Sequence, residues 1–449
     1  MSSDFAVFRG LGEFAGRSNF DSILSGIACL LLENLKWDDG PVSGPQRILV
    51  LARTVSILGD FAAPVALSFA VLALAPGPEA APRLALVLAA AAVPQVLFLA
   101  VGGAAADRGH RRLLAVGGET GAGLAEAASA VLLLTHAATV GALAGLAAAR
   151  GAFSAAGTPA MRALVADLAG RTDQIASVSA ALSGSRAIAT IAGPALGGLL
   201  VTSAGPGWAL AANAASYVIA AVLLSPLRPR VRSAQPAGSL TQLRDGWHTI
   251  ARSAWLWPLM LYGMLFVLLV DAPYQLISPL LSRQHYRGAI ALAVSTTAFG
   301  AGSVAGSGIA WRIRPQRPLL AYIALYFLEI PLRLAWALLA PLPVLAASAG
   351  MAGLSFAAAS SLWQTVLATR IAAEQLGTVA AADEASGTVA NPLAIALTAP
   401  LIAALGARTI LAGGLLWLAV STTALTALTA IRDPMPSGDH RAHAADVNS

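Results

Sequence analysis

The stretch Gly103-Ala104-Ala105-Ala106-Asp107-Arg108-Gly109-His110-Arg111-Arg112-Leu113 decides how the chain is read. Small residues close an apolar run, an acid ends it, and three arginines make a basic turn into the next run. The runs on either side, 84–106 and 113–135, are long enough to cross the hydrocarbon of a bilayer, which takes about 20 residues of helix. The turn therefore joins two antiparallel membrane spans. The same arrangement returns at Gly308-Ile309-Ala310-Trp311-Arg312-Ile313-Arg314-Pro315-Gln316-Arg317-Pro318-Leu319, between runs at 288–311 and 318–340.

Counting outward from these turns gives twelve apolar blocks: 48–74, 84–106, 113–135, 137–158, 178–203, 207–227, 255–281, 288–311, 318–340, 342–369, 386–405 and 409–431. A polar stretch at 228–254 separates the first six from the last six. The expected organisation is an N-terminal cytoplasmic extension (1–46), a six-helix bundle (47–227), a cytoplasmic linker (228–254), a second six-helix bundle (255–431) and a cytoplasmic tail (432–449). The fold class is an all-α membrane protein of twelve transmembrane helices in two pseudo-symmetric bundles. Repetition of one plan in two halves is common among secondary transporters.

Composition agrees. Of 449 residues, 57% are hydrophobic and 11% are charged, against about 25% charged in a soluble domain. So little charge cannot clothe a water-soluble protein of this size. Soluble, disordered, collagen-like and disulfide-stapled classes are excluded. In the extension, Phe5, Phe8, Leu11 and Phe14 recur every third residue, as in a short interfacial helix or a loose tail. The run from Ile23 to Leu32 is too short to span and lacks the flanks of a signal peptide.

Several chemistries find no residues to carry them. Cys29 is the single cysteine, so no disulfide forms within the chain. Lys36, the single lysine, follows Leu35, so there is no phosphate-binding-loop lysine. No Gly-x-Ser-x-Gly elbow is present, and the six histidines lack metal-ligand spacing. No catalytic residue, metal, cofactor or ATPase subunit is expected; the chain is not read as an enzyme. The net charge of +6 does not point to nucleic acid, because the arginines sit in short loops between spans. Loops on the side of the termini hold 14 arginines and the opposite loops hold 4. The positive-inside rule places both termini in the cytoplasm. Abundant Ala and Arg with almost no Lys point to a GC-rich bacterial genome, and so to a bacterial cytoplasmic membrane.

Gly103, Asp107, Arg108, Arg111 and Arg112 resemble motif A of the major facilitator superfamily, with His110 where that motif has Gly and Ala105 where Leu is usual. In physical terms, a carboxylate at a helix end can pair with loop arginines and with the positive N-terminus of another helix. Such a latch forms in one conformation and breaks in another. Gly193-Pro194-Ala195-Leu196-Gly197-Gly198 in span 5 resembles motif C of the superfamily's exporters; proline bends the helix and glycines permit close packing. Ser56 to Asp60, Pro159 after span 4, Asn213, Arg314 to Pro318, Leu362-Trp363, Leu376-Gly377, Asp383 and Asn391-Pro392 extend the resemblance to the macrolide-efflux and enterobactin-exporter-like branch over residues 47–431. Thr378 stands where that branch commonly has Arg. The resemblance implies the major facilitator fold, a monomer and proton-driven export.

Charges inside spans are the candidate site. Burying one costs about 2.5–3.5 kcal/mol on insertion scales, so each needs a partner or a task. Asp60 lies twelve residues into span 1, about 18 Å along the helix and near the bilayer centre. A carboxylate withdrawn from water there can bind and release a proton, which makes Asp60 the first coupling candidate. Glu126 and Arg150 fall 11 residues before and 13 after the turn near residue 137, so they meet at similar depth and can pair, as a switch or as a structural pair. Arg150 also occupies the region of motif B, although the glycine spacing after it differs. Glu329 and Arg333 are four apart and can satisfy each other. Asp271 is placed towards the outer end of span 7. Arg186 lacks an obvious partner, with Glu119 or an anionic substrate group as candidates. Arg186, Asn213, Asp271, Tyr274 and Trp363 are taken as candidate cavity residues.

The expected function is export of a hydrophobic or amphipathic small molecule in exchange for protons, by alternating access. A drug, a macrolide, a siderophore or a self-made antibiotic would each fit. The alternatives are an uptake permease or facilitator and, in a different class, a non-transporting membrane receptor or membrane-embedded enzyme.

Overall fold

Hydrocarbon offers a peptide group no hydrogen-bond partner, so a spanning segment must satisfy its backbone internally, as a helix does. In the computed structural model the described residues are 44–107, 111–168, 172–227, 250–251, 253, 255–286, 288–312, 315–371 and 373–432. The extension up to residue 43, most of the linker, the tail after 432, Arg108, the surroundings of Gly103 and the side chain of Asp107 lie outside this description.

Twelve spans follow in chain order among these residues. They are α1 (Gly44–Leu74), α2 (Ala80–Asp107), α3 (Arg111–Leu134), α4 (Val140–Leu168), α5 (Thr172–Ser203), α6 (Pro206–Leu224), α7 (Leu256–His285), α8 (Ile290–Arg312), α9 (Pro318–Ala337), α10 (Leu342–Arg370), α11 (Ala373–Leu405) and α12 (Ala407–Arg432). Ten are long and apolar enough to cross a bilayer along an unbroken stretch. The others are α3, which carries Arg111, Arg112, Glu119 and Glu126, and α11, whose apolar part is Val389–Leu405. Two spans are irregular. A π-helical turn occupies Val267–Asp271 of α7, and a 3-10 turn occupies Tyr326–Glu329 of α9.

Several ends differ from expectation for one reason. Helix α4 runs ten residues past 158, and α5 starts six residues before 178. Pro159 and Arg162 therefore lie inside α4 and not in a loop after it. Apolar content marks the part of a helix in hydrocarbon, whereas these helices continue beyond it on polar residues such as Arg162 and Asp167.

Lipid gives helices no hydrophobic reason to associate, so close packing of small residues does that work. In the N-terminal bundle α1 packs on α5 and α6, α2 on α4, and α3 on α4 and α6. In the C-terminal bundle α8 packs on α10, and α9 on α10 and α12. The bundles meet along α5–α8, α2–α11 and α1–α7. Val65 and Phe69 pack on Ala289 and Leu292. Leu67, Val71 and Leu84 share a core with Ala272, Leu276 and Ala394. Gly198 lies so close to Ala293 that an added methyl would collide with it, and Gly300 presses on the Thr190 carbonyl. These inter-bundle contacts lie in the half of the molecule away from the start of α1 and the end of α12.

Candidate functional site

Helix α1 presents Arg53, Ser56 and Asp60 at spacings of three and four, which places them on one face. Helix α3 answers with Glu119 and Glu126, seven apart, and α6 with Asn213, Ser216 and Tyr217. These faces converge into a polar network in two levels.

The first level centres on Asp60. The Tyr217 hydroxyl donates to Asp60 Oδ1. Arg150 of α4 lies beside the same tyrosine and places Nε 3.6 Å from Glu126 Oε2. Glu126 also accepts from Asn213 Nδ2 at 2.9 Å, and Ser216 donates to the Asn213 carbonyl at 2.7 Å. Asn213 and Tyr217 are 1% and 2% exposed. Asn213, expected on a cavity wall, is thus interior and holds Glu126. The level contains two carboxylates, Asp60 and Glu126, and one guanidinium, Arg150.

The second level lies seven residues, or about 10 Å, closer to the chain ends on both α1 and α3. Arg53 Nη1 meets Glu119 Oε1 at 3.2 Å, and Ser56 donates to Glu119 Oε2 at 2.7 Å. Glu119 is therefore engaged by α1 and does not pair with Arg186. Arg186 instead stacks over the Phe61 ring, 5.6 Å from its centroid, on an exposed part of α5.

The C-terminal bundle repeats the plan. Asp60 and Asp271 each lie 14 residues before the far end of α1 and α7, and Glu126 and Glu329 each lie 8 before the far end of α3 and α9. Asp271 is mid-span, in the π-helical turn, and not towards the outer end; the full length of α7 places it there. Its side chain is 36% exposed, accepts from Gln275 at 2.8 Å and lies 3.8 Å from Arg333. Arg333 also pairs with Glu329 and covers the Tyr274 ring at 5.0 Å. The Tyr274 hydroxyl shares a hydrogen bond with Ser295 at 3.2 Å, which ties this ring inward to α8. Trp363 Nε1 donates to Asp383 Oδ2 at 2.8 Å and stacks on Tyr322. Both rings, with Tyr326, Phe356, Glu329 and Asp383, line a cavity of about 180 Å3.

The two motif regions divide by what they touch. Arg111 pairs with Asp167 at the end of α4, 2.6 Å away and buried, so this arginine braces its own bundle. Arg112 is half-buried beside it. Gly193 and Gly197 approach Phe61 and the Ala62 carbonyl of α1, Gly198 approaches α8 of the other bundle, and Pro194 lies among them within α5. No group of three or more His, Cys, Asp or Glu placed to hold a metal occurs among the described residues.

The family model of the Major Facilitator Superfamily matches residues 49–394. The chain belongs to the major facilitator superfamily. As a member of it, the protein is a multi-pass membrane transporter by family. No curated protein matches the chain. Solved structures that share the major facilitator fold include the nucleoside transporter NupG, at 13% identity and TM-score 0.65, covering 86% of this chain and 99% of that one. A D-xylose–proton symporter aligns at 13% identity and TM-score 0.62, over 83% and 96% of the two chains. A bacterial homolog of the human lysosomal transporter Spinster, inward-facing and unoccupied, aligns at 16% identity and TM-score 0.61, over 87% and 97%.

In this major facilitator chain, Tyr217, the Arg53–Glu119 pair and Asp167 are site residues beyond those expected from the sequence. A signal for the first two exists. Arg53 and Asp60 share the seven-residue spacing of Glu119 and Glu126, and Tyr217 lies one turn from Asn213. Asp167 carries no such signal, because nothing in the sequence says that α4 continues that far.

Proposed function

We propose that this major facilitator transporter exports a hydrophobic or amphipathic small molecule from a bacterial cell by proton antiport, acting as a monomer with both termini in the cytoplasm. The observation that carries this reading is the charge count around Asp60. Two carboxylates and one guanidinium share a partly buried site at mid-span, so the site is neutral when it holds one proton. An unneutralised carboxylate at that depth is expensive. Proton binding and bundle movement therefore influence each other, because a ligand shifts two states by its differential affinity for them. Contacts in the half away from the termini would correspond to closure on the outer side. The Gly193-Pro194 region of α5 favours export over uptake, following the resemblance to motif C.

The test is flux in proteoliposomes under an imposed pH gradient, with a panel of lipophilic dyes and antibiotics as probes. Gradient-dependent flux that Asp60→Asn abolishes supports the reading. Flux that is indifferent to the gradient in both proteins supports a facilitator, and no flux across the panel supports a receptor. Accumulation of the active probe in cells lacking the gene, against cells overexpressing it, decides export from uptake.

A further inference from the structure

The two polar levels of the N-terminal bundle are joined by a small cavity. It measures about 10 Å3 and is lined by the polar side chains of Arg53, Glu119, Ser154, Thr158 and Tyr217. A cavity holds a water when it has about 10–15 Å3 of probe-sized space and two to four polar partners. At about 10 Å3 this cavity is at the lower bound for one water, with five polar residues around it. Its position matters more than its size. Tyr217 belongs to the first level through its bond to Asp60, and Glu119 and Arg53 form the second. The Thr158 hydroxyl donates to the Ser154 carbonyl at 2.8 Å, which leaves its oxygen able to accept from the water.

We infer that Glu119 is the proton-release group of this transporter, reached from Asp60 through the Tyr217 hydroxyl and one water held between α3, α4 and α6. This rests on the reading of Asp60 as the coupling carboxylate. The step balances as a relay. The Asp60 carboxyl O–H breaks as its proton passes to the Tyr217 oxygen. The original Tyr217 proton passes to the water, and a water proton passes to Glu119. Asp60 ends as a carboxylate, Tyr217 and the water are neutral, and Glu119 is a carboxylic acid. Rotation of the hydroxyl and the water restores the chain. The groups facing Glu119 are Arg53, Ser56 and Asp60 from α1, Ser154 and Thr158 from α4, and Tyr217 from α6. Arg53 is half-buried and lies seven residues nearer the start of α1 than Asp60, so the path from Glu119 leads towards the chain ends. Protons would thus leave through the interior of one bundle, apart from any path the substrate takes between bundles.

The test needs no substrate. Purified full-length protein is subjected to a rapid pH rise, and infrared difference spectra follow loss of the protonated-carboxyl bands. The Asp60 band is identified by its absence in Asp60→Asn. Glu119→Gln is expected to slow loss of the Asp60 band about a hundredfold, within the usual span for a positioned proton acceptor. Its final extent should be unchanged. Thr158→Val, which keeps Glu119 but removes a water partner, is expected to slow it as well. Glu119→Asp restores part of the rate, which also shows that the fold is intact. Wild type should show a solvent deuterium effect that Glu119→Gln lacks. Unchanged rates in both Glu119→Gln and Thr158→Val would overturn the relay while leaving Asp60 as the coupling group. A spectrum in which Asp60 never titrates would instead overturn the coupling reading itself.

Discussion

Tyr217 of α6 donates its hydroxyl hydrogen to the carboxylate of Asp60 in α1. The bond joins two helices of one bundle at mid-span, and the same tyrosine lies against Arg150 of α4. A single side chain thus lies between Asp60 and the guanidinium that pairs with Glu126.

That connection sets the first expectation. Asp60→Asn should abolish gradient-driven flux and flatten its pH dependence, with the protein still folded. Tyr217→Phe keeps the ring and removes the hydroxyl. It should retain binding of a transported probe while lowering turnover and displacing the pH profile. Flux against pH in proteoliposomes, paired with equilibrium binding, reads both. An unchanged profile in Tyr217→Phe would show the hydroxyl to be irrelevant to coupling.

Glu126 and Arg150 should respond unequally to substitution. Glu126→Gln keeps an acceptor for Asn213 and leaves Arg150 beside Asp60, so stability should fall little. Arg150→Leu leaves two carboxylates with no cation in their level. Removing one member of a buried pair typically costs about 3–5 kcal/mol. Thermal unfolding in one detergent should therefore rank Arg150→Leu well below Glu126→Gln; equal midpoints would argue against a shared charge balance.

Arg111 and Asp167 should behave as a structural pair. Either single change, Arg111→Leu or Asp167→Leu, should lower thermal stability markedly. The double change should recover much of the loss, because two apolar side chains leave no unpaired charge. A double-mutant cycle on unfolding midpoints measures this. Strict additivity would mean the two side chains do not depend on each other.

The glycines of α5 should separate by the helix they face. Gly198→Val inserts bulk against Ala293 of α8 and should hold the two bundles apart in that half. Spin labels at Ser203 and Ile290 should then report longer distances than in the parent. Gly197→Val meets the Ala62 carbonyl inside its own bundle and should cost stability with little change in that distance. The reverse pattern would remove α5–α8 contact as the moving seam.

Much of this architecture is legible in the sequence, because hydrocarbon thickness sets a length scale that apolar runs must match. The depth of a charge follows from counting along a span, and on that basis Glu126 and Arg150 were expected side by side; they are 3.6 Å apart. Counting does not give rotation about the helix axis. The count alone therefore allows Asn213 a cavity wall, whereas it faces Glu126, and allows Arg186 a bond to Glu119, which α1 already holds. Depth itself goes wrong where helix ends are misplaced. Asp271 lies mid-span and not towards the outer end because α7 continues to His285.

Helix α7 also holds one residue too many in the turn Val267–Asp271. Winding those same residues evenly, with none removed, would swing everything beyond Asp271 by about 100° about the axis. Leu276, now wedged between the two bundles, and Tyr274, now under Arg333, would both turn out of their present surroundings. The far half of α7 is thus indexed against its near half by one unit of chain, and the index is set at the residue that carries the acid.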